Sequence, residues 1–367
     1  MYFFEKNSLK MSGLYLVYNA GSVYESEGQS GTMHLMEHLM CKSFDDMQDE
    51  LTKRNVEWNA YTSEEIVVVY FTGLHTELNS DLKTRLVKRL TNGQFTNEDE
   101  FNKEKGIVLQ EYYNYFNDIA YGNVMNNLRK KYNTYSVIGS AEDINNFTYT
   151  DALNIFDKFF KNPTNIIEVG RESTDFSFVE YNAVEYSKTH LKYGKYNLPS
   201  EVVPDSETNS VVIATTKKSI SKKDYPYIKV LNKILVSGLN SPLYQELREK
   251  RGLIYAVMPY CMSCVNESVW AYMAMTTKEN AEEVTKIMQD VLNNLSEYIT
   301  DSRFSDVINS SIIQLEINNI FRYEHPKALS TGLPSAFKTK KQYENLTLEK
   351  VIAVGKKYFS NLDIEIM

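Results

Sequence analysis

His34-Leu35-Met36-Glu37-His38 places two imidazoles four residues apart, with a carboxylate between them. At 3.6 residues per turn, positions 34 and 38 share one helical face about a turn from each other, so both rings reach a single ion. Zinc suits such a set, because neutral imidazole nitrogens and one carboxylate satisfy its tetrahedral preference and leave a fourth position for water. Glu37, not needed as a ligand, is then free to face that water. One histidine on a helix is ordinarily packed or solvated, but this chain has only five (His34, His38, His75, His190, His325), and two of them enclose a glutamate at helical spacing.

A third protein ligand must come from elsewhere. Glu104 and Glu111 stand seven residues apart, close to two turns, which aligns them on one face of a helix. One can ligate while the other orients a ligand histidine from behind. Spacing alone does not choose between them.

The elements that must position these groups are legible as patterns. Gly13–Asn19 reads as a buried strand, followed by the loops Ala20-Gly21-Ser22 and Glu27–Gly31. Thr32 is the expected N-cap of a helix from Met33 to about Met40. Trp58–Ser63 and Ile66–Phe71 read as two strands, or as one long strand with a bend. Residues from about Thr76 to Asn117 are helical in pattern, with Asn97–Glu104 opening a helix rich in acids at its start. Tyr149–Phe160 and Asn165–Val169 follow as helix and strand.

The second half repeats this order: strand Ser210–Thr215, helices Tyr225–Val236 and Pro242–Lys250, alternating strands over Ile254–Met275, long helices, and a terminal strand Asp363–Met367. Ser241 is the expected N-cap of the second of these helices and Gly252 its stop. The reading is α+β with an internal duplication of element order. Residues 1–186 form the first domain, 187–209 a polar linker containing Pro199 and Pro204, and 210–367 the second domain.

With 367 residues, two domains are the natural division. A hydrophobic share of 43% and a charged share of 24% fit a folded chain and exclude a disordered one. A formal net charge of -8, with Lys and Arg dispersed, argues against nucleic acid as a partner. No apolar run reaches membrane-spanning length and the N-terminus lacks a secretory pattern, so no membrane association and a cytoplasmic location are expected. Cys41, Cys261 and Cys264 are too few and odd in number for a disulfide framework; the Cys261/Cys264 spacing lies in a strand-like stretch and is read as structural.

Taken together, Ala20-Gly21-Ser22 with the His34–His38 motif, Asn59-Ala60-Tyr61-Thr62-Ser63, Glu104 with Glu111, and Leu247-Arg248-Glu249-Lys250-Arg251-Gly252-Leu253-Ile254-Tyr255 resemble the pitrilysin and insulin-degrading enzyme family of zinc metallopeptidases. The match follows the shorter, two-domain branch that includes the mitochondrial processing peptidase, and it covers nearly the whole chain in the family's order. The resemblance implies a zinc metalloendopeptidase with one Zn2+ per chain, held by His34, His38 and Glu111, with Glu104 supporting from behind and Glu37 activating the hydrolytic water. It implies that peptide or unfolded-protein substrate lies extended along an edge strand holding Asn59 and Ala60, which hydrogen-bond the peptide backbone by strand addition. It further implies that Arg248 holds a substrate carbonyl and Tyr255 donates to the oxyanion.

The fold implied is two similar domains, each a mostly antiparallel sheet with helices on one face. The partner implied is a second chain, in a homodimer or a heterodimer with a related subunit, sharing a composite active site. The glycine-rich turn before the second-half helix is reduced to Ser237–Ser241, and the chain is short for the branch, which bears on loops and pocket. The rival reading is a non-catalytic core or scaffold subunit of the same fold.

Overall fold

The computed structural model describes residues 1–6, 10–92, 97–117, 136–182, 209–216, 218, 220–263, 268–317, 337, 339–360 and 362–367. Within its first unit, Met1–Val203, five strands are formed: β1 (Tyr2–Lys6), β2 (Met11–Tyr18), β3 (Glu57–Thr62), β4 (Val67–Leu74) and β5 (Asn165–Gly170). Their helices are α1 (Thr32–Lys42), α2 (Gln48–Lys53), α3 (Ser80–Asn92), α4 (Glu98–Asn117), α5 (Ala141–Asn146) and α6 (Tyr149–Ile155), the last running into a π-type turn at Phe156–Phe160. The sheet order is β1-β5-β2-β4-β3, antiparallel throughout except for the parallel β1/β5 pair.

Side-chain alternation builds this layer. Leu14, Leu16 and Tyr18 of β2 join Met36, Leu39, Met40 and other helical residues in one core. Tyr15 and Val17 turn to the opposite face, where they meet Val68 and Ile167 from neighbouring strands. Both faces of β2 are therefore buried, and its sequence shows an unbroken apolar run because of it. Among the described residues, the helical side chains of these two clusters all belong to the first face.

The second unit, Pro204–Met367, holds β6 (Asn209–Thr215), α7 (Tyr225–Val236), α8 (Pro242–Tyr244, extended by a π-type turn at Gln245–Glu249), β7 (Ile254–Ser263) and β8 (Ser268–Thr277). It continues with α9 (Ala281–Asn293), α10 (Leu295–Tyr298), α11 (Asp301–Ile317), α12 (Lys340–Glu344), α13 (Leu348–Phe359) and β9 (Asp363–Ile366). Its order, β7-β8-β6-β9, is the first sheet's β3-β4-β2-β5 repeated, with antiparallel pairs throughout. The duplication expected from element order is thus present as topology, and the two-layer α+β architecture is observed in both units.

Several local expectations change. Strand β1 pairs in parallel with β5 at the sheet edge, and its five residues carry too little pattern to be seen in sequence. The helical stretch from Thr76 resolves into α3 and α4. Asn97 caps α4, its side chain accepting the Glu100 N–H at 2.9 Å. The expected linker lies outside the described residues apart from Asn209, which opens β6; Cys264, His190 and His325 also lie outside them. Among the described residues, no helix is long and apolar enough to cross a membrane.

Candidate metal centre

Helix α1 is fixed at its N-terminal end. The expected cap, Thr32, is already helical; the cap position is Gly31, with φ +92°. A Cβ there would stand 2.9 Å from the Gly139 Cα, so only glycine fits this crossing of two backbones. The capping acceptor comes instead from Glu25, whose two oxygens take the Gly31 N–H at 3.1 Å and the Met33 N–H at 2.9 Å. Burial pushes the Glu25 carboxyl up to about 8, against the pull of these two N–H groups. Thr32 turns back, its hydroxyl donating to the Gln29 carbonyl at 2.8 Å. Gly21 serves the loop after β2 in the same way: a Cβ would meet the Glu65 backbone nitrogen at 2.3 Å, and the Val23 N–H donates to the Glu64 carbonyl at 2.8 Å.

On this helix the His34 and His38 rings lie edge-to-face, centroids 5.1 Å apart. Helix α4 packs beside α1 and brings Glu104 and Glu111 to them. The Glu111 Oε2 lies 3.4 Å from His34 Nε2 and 3.7 Å from His38 Nε2. One ligand atom from each of the three lies within 4.8 Å of the others. Adjacent ligands of a tetrahedral zinc, at bond lengths near 2.0–2.2 Å, are separated by about 3.3 Å, so this donor set fits that ion. Glu104, nearly buried, reaches the far side of His38, where Oε2 and Nδ1 are 3.2 Å apart.

Burial, with His38 beside it, lowers the His34 pKa to about 4, so the ring is neutral at neutral pH and offers a lone pair. Glu37 stands apart from the set. Its Oε2 accepts the Thr62 hydroxyl at 2.6 Å, and burial lifts its carboxyl above the ordinary range against the pull of Thr62 and His38. Thr62 is the last residue of β3, so one hydrogen bond ties the edge strand to this carboxylate.

Asn59 and Ala60 lie on β3, which occupies one end of the sheet. The Ala60 N–H donates to the Asn59 side chain at 2.8 Å. Arg248 and Tyr255 belong to the second unit. Arg248 lies on the π-type turn after α8, its guanidinium 4.9 Å from the Tyr244 ring centroid. Ser241 is the N-cap by position, though its hydroxyl makes no capping bond. Gly252, at φ +64°, ends the helix through its N–H to the Arg248 carbonyl. Tyr255 follows at a β-bulge and is 81% exposed.

A model of the insulinase peptidase family, M16, matches residues 3–139, and a model named the peptidase M16 inactive domain matches residues 145–311. The chain belongs to peptidase family M16. Among its M16 relatives, an uncharacterized zinc protease of Streptomyces coelicolor is 24% identical over 353 residues, covering 85% of this chain and 72% of its own. The human mitochondrial-processing peptidase subunit beta is 25% identical over 177 residues, 43% of this chain and 34% of its own. The crystal structure of a protease from Helicobacter pylori superposes with a TM-score of 0.75 at 18% identity, covering 99% of this chain and 95% of that one, a likeness of fold. The first model spans the histidine motif, Glu104 and Glu111; the second spans Arg248 and Tyr255.

Proposed function

We propose that this M16 chain is a zinc metalloendopeptidase that holds one zinc ion per chain on His34, His38 and Glu111 and uses Glu37 as its general base and acid. The reading rests on one observation above all: three ligand atoms from two helices gathered within 4.8 Å, beside a carboxylate that is not one of them. Relatives named zinc proteases support it. Zinc supplies Lewis acidity there, polarising a carbonyl and making water acidic enough to ionise near neutral pH.

The chain's own groups do the rest. Glu104 holds His38 Nδ1, which leaves Nε2 turned to Glu111. Glu37 takes a proton from the attacking water and delivers it to the leaving amine; a carboxyl raised by burial is suited to both halves of that exchange.

Substrate adds to the β3 edge in extended form. The Ser63 N–H donates to the Ile66 carbonyl at 2.8 Å, closing the β3/β4 hairpin, and alternation from that pair turns the main-chain groups of Thr62, Ala60 and Trp58 outward. Ala60 therefore offers its backbone, and Asn59, whose backbone faces β4, takes part through its side chain, which now covers the Ala60 N–H. Strand addition of this kind favours peptides and unfolded segments over folded proteins.

Arg248 and Tyr255 act, in this proposal, at the zinc of a second chain, in a homodimer or a heterodimer with a related subunit. The support is a tyrosine 81% exposed on a bulge, a backbone feature that re-aims a side chain, an exposed arginine seven residues before it, and a relative that is named a subunit. Arg248 holds a substrate carbonyl and Tyr255 donates to the oxyanion. A cytoplasmic location belongs to the same proposal, supported by the free thiol of Cys41.

Incubating the purified chain with a mixed peptide library, with and without a chelator, and reading products by mass spectrometry tests the activity. Chelator-sensitive cleavage is expected; no cleavage by the zinc-loaded chain, alone or with a related subunit, contradicts it. Mixing Glu37→Gln with Tyr255→Phe chains should restore activity if the site is composite, and dimers without restored activity rule that out.

A further inference from the structure

Glu104 is a carboxylate only 5% exposed that meets His38 with one of its two oxygens. The other, Oε1, accepts no hydrogen bond but lies 3.3 Å from the Lys42 ammonium. Lys42 closes α1, four residues after His38 and on the same helical face, and its Nζ is also 3.4 Å from Asp45 Oδ2. A glutamate terminus rotates freely about its last torsion. An ion pair on one oxygen fixes the carboxylate plane and, with it, the oxygen presented to the imidazole. Two charges at this distance in a site screened from water interact more strongly than at an open surface.

We propose that Lys42 is a positioning residue for the zinc site: through Glu104 it sets the orientation of the His38 ring and so contributes to zinc affinity, although it touches neither the ion nor the substrate. This rests on the zinc-site reading above. The competing role for Lys42 is purely helical, since a cation in the last turn of α1 complements the helix dipole whatever Glu104 does. The two roles separate in a double-mutant cycle, because only a residue acting through Glu104 loses its effect when Glu104 can no longer carry charge.

The experiment measures zinc affinity by competition with a chromophoric chelator, using full-length wild type, Lys42→Met, Lys42→Arg, Glu104→Gln and the Lys42→Met/Glu104→Gln pair. Far-UV circular dichroism and melting of the metal-free forms check that each is folded, and Lys42→Gln replaces Lys42→Met if the latter does not fold. Lys42→Met should bind zinc about 10-fold more weakly, the lower end of what groups behind a ligand contribute. Lys42→Arg should retain most of the affinity, and the double variant should bind no more weakly than Glu104→Gln alone. Unchanged affinity in Lys42→Met, or an equal loss in both backgrounds, overturns the proposal. Wild type that takes up no zinc overturns instead the metal-site reading on which it rests.

Discussion

The two halves repeat one sheet order but treat their polar groups in opposite ways. In the first, α1 and α4 bring two half-buried imidazoles against the buried Glu104 and the more exposed Glu111, each ring within 3.7 Å of a carboxylate oxygen. In the second, α7 occupies the place of α1 after the first long strand and carries no histidine and no acid, while Arg248 and Tyr255 stand at the surface. Their edge strands differ as well. β3 has outward main-chain donors, whereas β7 contains Pro259, which lacks one and blunts strand addition. A duplicated scaffold thus gathers titratable side chains against one another in one half and leaves the corresponding half with exposed ones.

The sharpest way to break this division is Glu37→Gln. It should keep zinc and lower kcat by about 10² to 10⁴, the range of general acid–base catalysis; turnover near wild type would remove Glu37 from the chemistry. Tyr255→Phe should leave zinc content untouched and reduce kcat by about 10² to 10³, as loss of one oxyanion donor does. If it changes nothing, the second half holds no catalytic surface at this residue.

The buried character of the first half has a pH signature. The folded His34 pKa is about 4 and the unfolded value near 6.5, so the unfolded chain takes up the proton first. The stability contributed by this neutral ring is whole above about pH 6.5 and disappears as pH falls towards 4, at most about 3 kcal/mol. Urea unfolding of the metal-free protein should show it, as a smaller acid-induced loss in His34→Gln than in wild type. Equal losses would mean that the ring is not held neutral by burial. The smallest effect concerns the edges: Ala60→Pro removes one outward donor and should lower kcat/KM about 10-fold with zinc retained, consistent with the loss of one backbone hydrogen bond. No change would move the peptide away from β3.

What the sequence disclosed and what it hid follow a physical line. His34, Glu37 and His38 were legible because one helix imposes their spacing, and the α4 glutamates because two turns align them. β2 and β4 were legible because burial on both faces leaves apolar runs. The α1 cap was misread because Thr32 looked like a local solution, while the actual one, Glu25 with Gly31 pressed on Gly139, depends on contacts far apart in sequence. Thr62 was visible as a strand residue, but its bond to Glu37 needed the β3/α1 packing. Lys42 did carry a signal, its four-residue step from His38, which only the placement of Glu104 makes meaningful.

In the proposed centre His34, His38 and Glu111 grip one ion. Crystals grown with zinc, measured on both sides of the zinc absorption edge, test it most directly. One anomalous peak enclosed by these three side chains is predicted; no peak there, or a Glu111 side chain turned away from the imidazoles, would contradict it.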